Sequence, residues 1–258
     1  MKLKEQYIRF MSHFSFGKCK EQYKKRWKDI KYSKKSSIKN NFGENNKLIL
    51  FDDFGNDTGL KYLNNLDIIF HGNNNLLKFH YQLNIENQLL IICSGNNIIS
   101  VNKSPYPINF SLPYRISPYS KLLIGKNFSS GYTEFRLHQE SHQEVIIGDD
   151  CMFSNNIYIK PSDGHSIYDS GTLKVLNCPQ NIKIGNHCWI GRGCTILKGV
   201  NIPNNCIVGV GSIVTKSSMK EHLTGNKIFV GSPVKCIKDN INWARENTEL
   251  YNSKHINH

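Results

Sequence analysis

A six-residue repeat in the C-terminal half of the chain limits its fold more than any other feature. From position 184 onward every sixth residue is aliphatic, six times without interruption: Ile184, Ile190, Ile196, Ile202, Val208 and Val214. The fourth residue after each of these is small or valine: Cys188, Cys194, Val200, Cys206, Ser212 and Ser218. A fixed short period of this kind indicates a repeat architecture, in which each repeat is one structural unit.

Neither an α-helix nor a flat strand explains this period. In a helix, every sixth residue lies about 240° further around the axis, so these residues form no common face. In a flat strand, the second and fourth positions share a face with the sixth, yet Asn186, Lys198 and Asn204 occupy such positions and are polar. Three short strands per turn of a triangular coil fit the pattern, with one aliphatic residue per side inside the bore. The sequence therefore predicts an all-β chain wound as a parallel β-helix.

The remaining sequence predicts four regions. Residues 1–46 form a basic, mainly helical N-terminal arm that ends in a linker at 36–46. Short apolar runs separated by Asn, Gly and Asp predict irregular early coils over 47–135. The regular coils occupy 136–238, and 239–258 form a C-terminal tail.

The net charge of +13 is concentrated in the arm. Residues 1–45 hold 13 Lys and Arg against 4 Asp and Glu, which leaves the rest of the chain nearly neutral. The arm could contact an anionic membrane surface or an acidic glycan, or it could present a solvated helical face; nucleic acid is not expected as a partner. The chain start lacks the apolar stretch of a signal peptide, and no apolar run is long enough to span a membrane. We therefore expect a cytoplasmic protein, with peripheral membrane contact left open.

The cysteines fit the repeat better than they fit a disulfide framework. The chain has eight cysteines, but 258 residues are too many to need disulfides for a core. Four of them occupy the small position of the repeat: Cys151, Cys188, Cys194 and Cys206. We expect these four to be small buried hydrophobic residues with no redox or metal-binding role.

The repeat is interrupted between two regular blocks. An earlier block contains Ile147, Phe153 and Ile159, and the next position at the same spacing is His165. The separation between Ile147 and Ile184 exceeds a multiple of six by one, so an insertion lies between the blocks.

These motifs resemble the hexapeptide-repeat acyltransferases, whose fold is a left-handed parallel β-helix, an exception to the usual right-handed crossover. The string Ser-Asp-x-His-Ser-Ile at 162–167 resembles the segment around the catalytic His of bacterial polysaccharide O-acetyltransferases. Trp189, both in its own context and in its spacing from His165, is similar to a family Trp beside the pantetheine arm of coenzyme A. The segments 209–216 and 231–238 resemble the coil and the terminal motif at the coenzyme site.

The resemblance implies a role for each of these residues. His165 is the expected general base, which a neutral imidazole can provide at neutral pH. Asp163 or Asp169 would fix its tautomer, and a backbone N–H near Trp189 would stabilise the oxyanion. The residues expected to bind acetyl-CoA are Trp189, Val210, Gly211, Ser212, Thr215, Lys216, Lys235 and Lys238. The last three are lysines suited to the phosphate groups of the coenzyme.

The expected function is acetyl-CoA-dependent O-acetylation of a sugar hydroxyl on a bacterial surface polysaccharide or its precursor, by direct transfer within a homotrimer. N-acetylation of an amino sugar or sugar nucleotide could use the same base. A metal-dependent hydratase would need three suitably placed histidines, and the pair His138 and His142 lacks a convincing third, so no metal is expected. A non-catalytic β-helix scaffold is the remaining alternative.

Overall fold

The computed structural model describes residues 36–256, and within that range the chain is almost entirely short strands. The predicted helical arm at 1–35 lies outside the described residues. The strands are β1 (Ile38–Asn41), β2 (Lys47–Phe51), β3 (Leu66–Phe70), β4 (Leu76–His80), β5 (Leu89–Cys93), β6 (Ile98–Val101), β7 (Ile108–Ser111), β8 (Lys121–Ile124), β9 (Ser129–Phe135), β10 (Glu144–Ile147), β11 (Met152–Phe153), β12 (Ile157–Lys160), β13 (Ile182–Ile184), β14 (Trp189–Ile190), β15 (Thr195–Leu197), β16 (Asn201–Ile202), β17 (Ile207–Val208), β18 (Ile213–Val214), β19 (Ile228–Gly231) and β20 (Val234–Lys238). The helices are α1 (Lys216–Met219) and α2 (Thr248–His255).

The strands stack into long parallel sheets that run along the axis of a coil. One sheet has the order β16-β13-β10-β8-β6-β4-β2, a second the order β1-β3-β5, and a third contains β18-β15-β12-β9-β11-β14-β17-β19-β20 with β7 beside β9. In the described part of the chain, every named strand pair is parallel except the final hairpin β19–β20. This architecture is a parallel β-helix, as the repeat predicted; its left-handed winding stays a prediction.

The regular coils have the spacing that the repeat predicted. Lys183 pairs with Asn201, Trp189 with Ile207, and Thr195 with Ile213, so one turn of the coil takes three hexapeptides. The six aliphatic residues of the repeat are 0% exposed and belong to one continuous apolar cluster inside the bore. Apolar burial along this bore is the main force that holds the coils together.

Left-handed backbone conformations make the corners of the coil. Along one corner Asn127, Asp150, His187, Asn205 and Asn226 have φ between +53° and +61°. Such values are tolerated best by Gly, Asn and Asp, whose short side chains can bond locally. A second corner also consists of residues with left-handed φ, whose side chains form a ladder along the coil: Asn45, Asn74, Asn96, Tyr119 and His142. Asparagine is therefore the residue that recurs most often at these two corners.

The early coils are longer than the regular ones, and one boundary prediction is wrong. Leu76 pairs with Ile98, Ile98 with Lys121 and Lys121 with Glu144, so each of these turns takes more than three hexapeptides. The apolar runs that predicted short strands correspond to β2, β3, β5 and β6. The segment 36–46, predicted as a linker, contains β1, which pairs with β3. Its polar residues misled the prediction because β1 is the edge of its sheet.

The four cysteines of the small repeat position are each 0% exposed, which confirms that they are buried. Burial raises the pKa of the Cys206 thiol to about 12. The contact with Cys151, together with burial, raises the pKa of the Cys188 thiol further. Thiols in this environment stay protonated at neutral pH, so they are poor nucleophiles. All cysteines in residues 36–256 are free thiols.

The C-terminal end of the coil is closed by α1 and by the hairpin β19–β20. Thr215 caps α1 by accepting from the Ser218 backbone N–H, and Met219 of this helix is buried. Beyond β20 the chain turns back along the outside of the coil, and α2 follows. Within residues 36–256, no helix is long and apolar enough to cross a bilayer.

Candidate active site

His165 lies on a long excursion of the chain between β12 and β13. The sixfold register ends at Ile159; Pro161 and Ser162 are still buried, but the chain then leaves the coil and His165 is exposed. The Gln180 N–H donates to the Pro161 carbonyl at 3.0 Å and closes the base of this excursion, which we call the histidine loop (161–180). The histidine is therefore held outside the bore, where a substrate can reach it.

Asp163 fastens the histidine loop to the coil. Its Oδ2 accepts from Lys198 Nζ at 2.6 Å and from Asn177 Nδ2 at 2.9 Å. The same Asn177 amide donates to the His165 carbonyl at 2.8 Å, and its Oδ1 accepts from the Ile167 N–H at 2.7 Å. The hydrogen bond from the Lys198 ammonium lowers the pKa of the Asp163 carboxyl, which keeps the ion pair intact at neutral pH.

Neither predicted carboxylate contacts the imidazole of His165. Asp163 bonds Lys198 and Asn177, while Asp169 accepts from the backbone N–H groups of Gly171 and Thr172 in a turn. No other residue in the described range hydrogen-bonds the ring. Lys198 and Asn177 were not among the predicted site residues, although a coil of three hexapeptides places position 198 next to positions 180 and 216.

Removing the Asp163 carboxylate is expected to loosen the histidine loop without unfolding the protein. Asp163→Ala deprives Asn177 of one partner, so the Ile167 amide that Asn177 holds should exchange its hydrogen faster in solvent deuterium. The free energy of unfolding should change by no more than about 1 kcal/mol, because the pair is partly exposed. Asp239→Ala, which removes an exposed pair with Lys227, is the matched control. Unchanged exchange at Ile167 would contradict this account.

Trp189 lies on another part of the coil from His165. It points outward from β14, and its side chain is 38% exposed. β14 pairs with β11 and β17, whereas β12, which precedes the histidine loop, pairs with β9 and β15. No contact within residues 36–256 joins the two side chains, so one copy of the chain does not bring them together.

The other predicted coenzyme residues lie at the C-terminal end of the coil. Val210 is 76% exposed, and Gly211 turns the corner with φ +68°, a value that favours glycine. Ser212 is buried, and its Oγ accepts from the Gly231 N–H at 3.1 Å, which ties together the two motifs expected at the coenzyme site.

The charged residues of this group are exposed, and Thr215 has a structural partner. Thr215 caps α1. Lys216 Nζ donates to Gln180 Oε1 at 2.8 Å and so joins α1 to the base of the histidine loop. Lys235 and Lys238 are exposed on β20. The three ammonium groups can therefore be reached by an anionic ligand.

The repeat region matches the family model described as hexapeptide repeat of succinyl-transferase over residues 181–216. The chain is 33% identical over 126 residues to the polysialic acid O-acetyltransferase of Escherichia coli O1:K1 / APEC, covering 49% of this chain and 39% of that protein. It is 30% identical over 151 residues to the Saccharomyces cerevisiae acetyltransferase candidate YJL218W, covering 58% of this chain and 67% of that protein. The chain belongs to the hexapeptide-repeat acyltransferases.

The fold agrees with this family over nearly the whole of a solved member. The crystal structure of the polysialic-acid-specific acetyltransferase NeuO superposes with a TM-score of 0.68 and 28% identity, covering 85% of this chain and 98% of that one. The sequence match to the Escherichia coli enzyme spans well under half of that relative's length. Family membership is therefore established, and the particular acceptor is a separate question.

His138 and His142, the pair considered for a metal site, each pack against a tyrosine ring. The ring of His142 stacks on Tyr119 at 4.7 Å in the ladder of the second corner, and the half-buried ring of His138 packs on Tyr114 at 4.3 Å. In residues 36–256 no group of three or more His, Cys, Asp or Glu side chains is arranged to hold a metal ion.

His138 is expected to make stability depend on pH. Burial, with the positive charges of Arg136 and Lys160, lowers the pKa of His138 from 6.5 to about 4. The unfolded state binds this proton below about pH 6.5 and the folded state does not, so stability is full above pH 6.5 and falls as the pH drops towards 4. In urea unfolding at several pH values, the free energy of unfolding should fall less steeply with decreasing pH for His138→Gln than for wild type. The exposed His142→Gln is the control; equal slopes for all three proteins would refute the assignment.

Proposed function

We propose that this chain is an acetyl-CoA-dependent O-acetyltransferase that acts on a sugar hydroxyl of a bacterial surface polysaccharide or its precursor. The observation that supports this most directly is the shared fold with NeuO over 98% of that chain, together with an exposed histidine on a loop fastened to the coil. The relatives' names supply the acceptor class, and the geometry supports acyl transfer.

His165 is the proposed general base. A sugar hydroxyl is too weak an acid to ionise at neutral pH, so a neutral imidazole takes its proton while the oxygen attacks the thioester carbonyl. The tetrahedral intermediate then expels the thiolate of coenzyme A, and the imidazolium returns the proton to that sulfur. A backbone N–H near Trp189 is the proposed oxyanion donor. Asp163 acts by positioning the loop through Lys198 and Asn177.

The coenzyme is proposed to lie along the C-terminal coils. Trp189 would line the pantetheine arm, and the turn at Val210, Gly211 and Ser212 would offer backbone groups to its amides. Thr215 begins α1 beside this turn. The ammonium groups of Lys216, Lys235 and Lys238 would bind the phosphates as point charges.

The active form is proposed to be a homotrimer. Trp189 and His165 make no contact within the described part of one chain, so a site that uses both needs a neighbouring copy. In this arrangement the histidine loop of one chain faces β14 of the next. Sedimentation at micromolar concentration should give three times the chain mass, and a monomer at full activity would remove this part of the proposal.

The function is tested by incubating the protein with acetyl-CoA and a panel of bacterial saccharides, including polysialic acid, neutral polysaccharides and free amino sugars. Thiol release that depends on an acceptor, with an acetyl group on the product that mild alkali removes, would establish an O-acetyl ester. An alkali-stable acetyl group would identify an amide and replace this proposal with N-acetylation. No binding of acetyl-CoA would favour a scaffold instead.

A further inference from the structure

The chain after the hairpin β19–β20 runs back along the outside of the coil, and residues 241–245 form what we call the C-terminal strap. Ile241 N–H donates to the Asn226 carbonyl at 3.1 Å, and Asn226 Nδ2 donates to the Ile241 carbonyl at 3.0 Å. The strap then follows the corner formed by left-handed residues towards the middle of the coil. Nothing in the six-residue repeat predicts this return.

Arg245 fixes the far end of the strap. Its guanidinium donates to Asp150 Oδ1 at 3.0 Å, to Ser129 Oγ at 2.8 Å and to the Asn127 carbonyl at 2.8 Å. It also lies 4.1 Å from the centre of the Tyr106 ring. A planar guanidinium with this many directed partners holds the strap in one position.

Trp243 occupies the middle of the strap and is clamped by His187. The two rings stack at 4.3 Å and 11°, and Trp243 Nε1 donates to the His187 carbonyl at 2.8 Å. His187 Nε2 meets the Trp243 carbonyl at 3.0 Å, and Nδ1 meets Asp150 Oδ2 at 2.6 Å. Each ring nitrogen of His187 is thus within hydrogen-bond distance of an oxygen atom, and the two contacts hold the imidazole against the indole of Trp243.

Trp243 is buried without being part of the core. It is 8% exposed, yet it lies outside the apolar cluster that fills the bore. Its other neighbour is Trp189, at 6.1 Å between ring centres and a tilt of 46°. Trp189 is the exposed member of this pair, and Trp243 is the buried member. An exposed Trp on a surface strand would otherwise sample several rotamers.

We infer that Trp243 is a positioning residue for acyl-CoA binding, because it holds the indole of Trp189 in one orientation. This inference rests on the proposed function, in which Trp189 contacts the pantetheine arm. A side chain that is already ordered loses less entropy when the ligand binds, so the backing ring strengthens binding without touching the reacting atoms. Trp243 should therefore affect the binding of acetyl-CoA and should affect neither the binding of the acceptor nor the chemical step.

The test compares steady-state kinetics of wild type, Trp243→Leu, Trp243→Phe and Tyr251→Ala. Trp243→Leu should raise KM for acetyl-CoA by about 3- to 10-fold, the range that corresponds to loss of one aromatic pair. Its kcat and its KM for the acceptor should stay within about twofold of wild type. Trp243→Phe keeps an aromatic face, so its KM for acetyl-CoA should lie between those of wild type and Trp243→Leu. Tyr251, which is exposed on α2 and contacts His255, is the matched tail aromatic.

A second readout follows Trp189 itself. In a Trp27→Phe background, Trp243→Leu leaves Trp189 as the only indole. The reference protein is Trp27→Phe with Tyr251→Ala, which keeps Trp189 and Trp243. The signal of Trp243, measured separately in Trp27→Phe/Trp189→Phe, is subtracted from that of the reference. The fluorescence anisotropy of Trp189 should be lower in Trp243→Leu than in the reference.

The outcomes separate the two proposals. Wild type that transfers acetyl groups, with an unchanged KM for acetyl-CoA in Trp243→Leu, overturns the inference and leaves the proposed function intact. A joint fall of kcat and rise of both KM values in Trp243→Leu also overturns it, because a loosened fold would do the same. Wild type that does not bind acetyl-CoA overturns both.

Discussion

Replacing His165 with alanine is expected to lower kcat for acetyl transfer by about 10²- to 10⁴-fold, the contribution of a positioned general base. The acceptor hydroxyl then has no group to take its proton as the carbon–oxygen bond forms. Because His165 is exposed and outside the bore, the free energy of unfolding should stay within about 0.5 kcal/mol of wild type. KM for acetyl-CoA should change little, since the coenzyme contacts are elsewhere.

The measurement is thiol release from acetyl-CoA with the best acceptor, at saturating concentrations of both substrates. His255→Ala is the matched control, because His255 is an exposed histidine at the end of α2. His165→Asn keeps a polar side chain of similar reach and should be as impaired as alanine, since an amide accepts no proton at neutral pH. Wild-type turnover in either His165 variant would remove this residue as the base.

A second large effect is expected in the bore. Ile196→Ala should lower the free energy of unfolding by about 2–5 kcal/mol, through lost apolar burial and the cavity that remains between coils. Ile196 is 0% exposed and belongs to the apolar cluster that continues through the coils on either side of it. A coil cannot collapse into the gap without breaking its parallel pairing to both neighbours.

Ile213→Ala is the matched control for this effect. Ile213 lies on β18, which pairs with β15 beside Ile196, but its side chain points outward and is half-buried. Urea unfolding at one fixed protein concentration should show a much larger shift of the midpoint for Ile196→Ala than for Ile213→Ala. Equal shifts would mean that inward and outward positions of the repeat were assigned wrongly.

The regular half of the fold could be predicted because its constraint is local. Each hexapeptide supplies one bore residue and one small residue, so the period alone determines which side chains point inward. This holds for Ile184 through Val214 and for the four buried cysteines. The break after Ile159 likewise indicated an insertion, which is the histidine loop.

The early coils and the site's supporting contacts could not be predicted in the same way. The turns from Lys47 to Leu76, from Leu76 to Ile98 and from Ile98 to Lys121 take 29, 22 and 23 residues, and none of these is a multiple of six. Lys198, which bonds Asp163, lies 35 residues away in sequence, and Trp243, which bonds His187, lies 56 residues away. Short-range patterns contain no information about such pairs, and the carboxylate expected to orient His165 binds Lys198 instead.

The C-terminal strap also changes how the coil should come apart. In a solenoid each repeat touches only its neighbours, so the ends can fray one coil at a time. Here residues 241–245 bond corners that belong to widely separated coils, at Asn226, His187, Asp150 and Asn127. Opening the last coil therefore also breaks contacts made near the middle. The C-terminal coils should melt as a single cooperative unit, and the strand amides from β9 to β17, outside the histidine loop, should share one opening free energy in native-state hydrogen exchange.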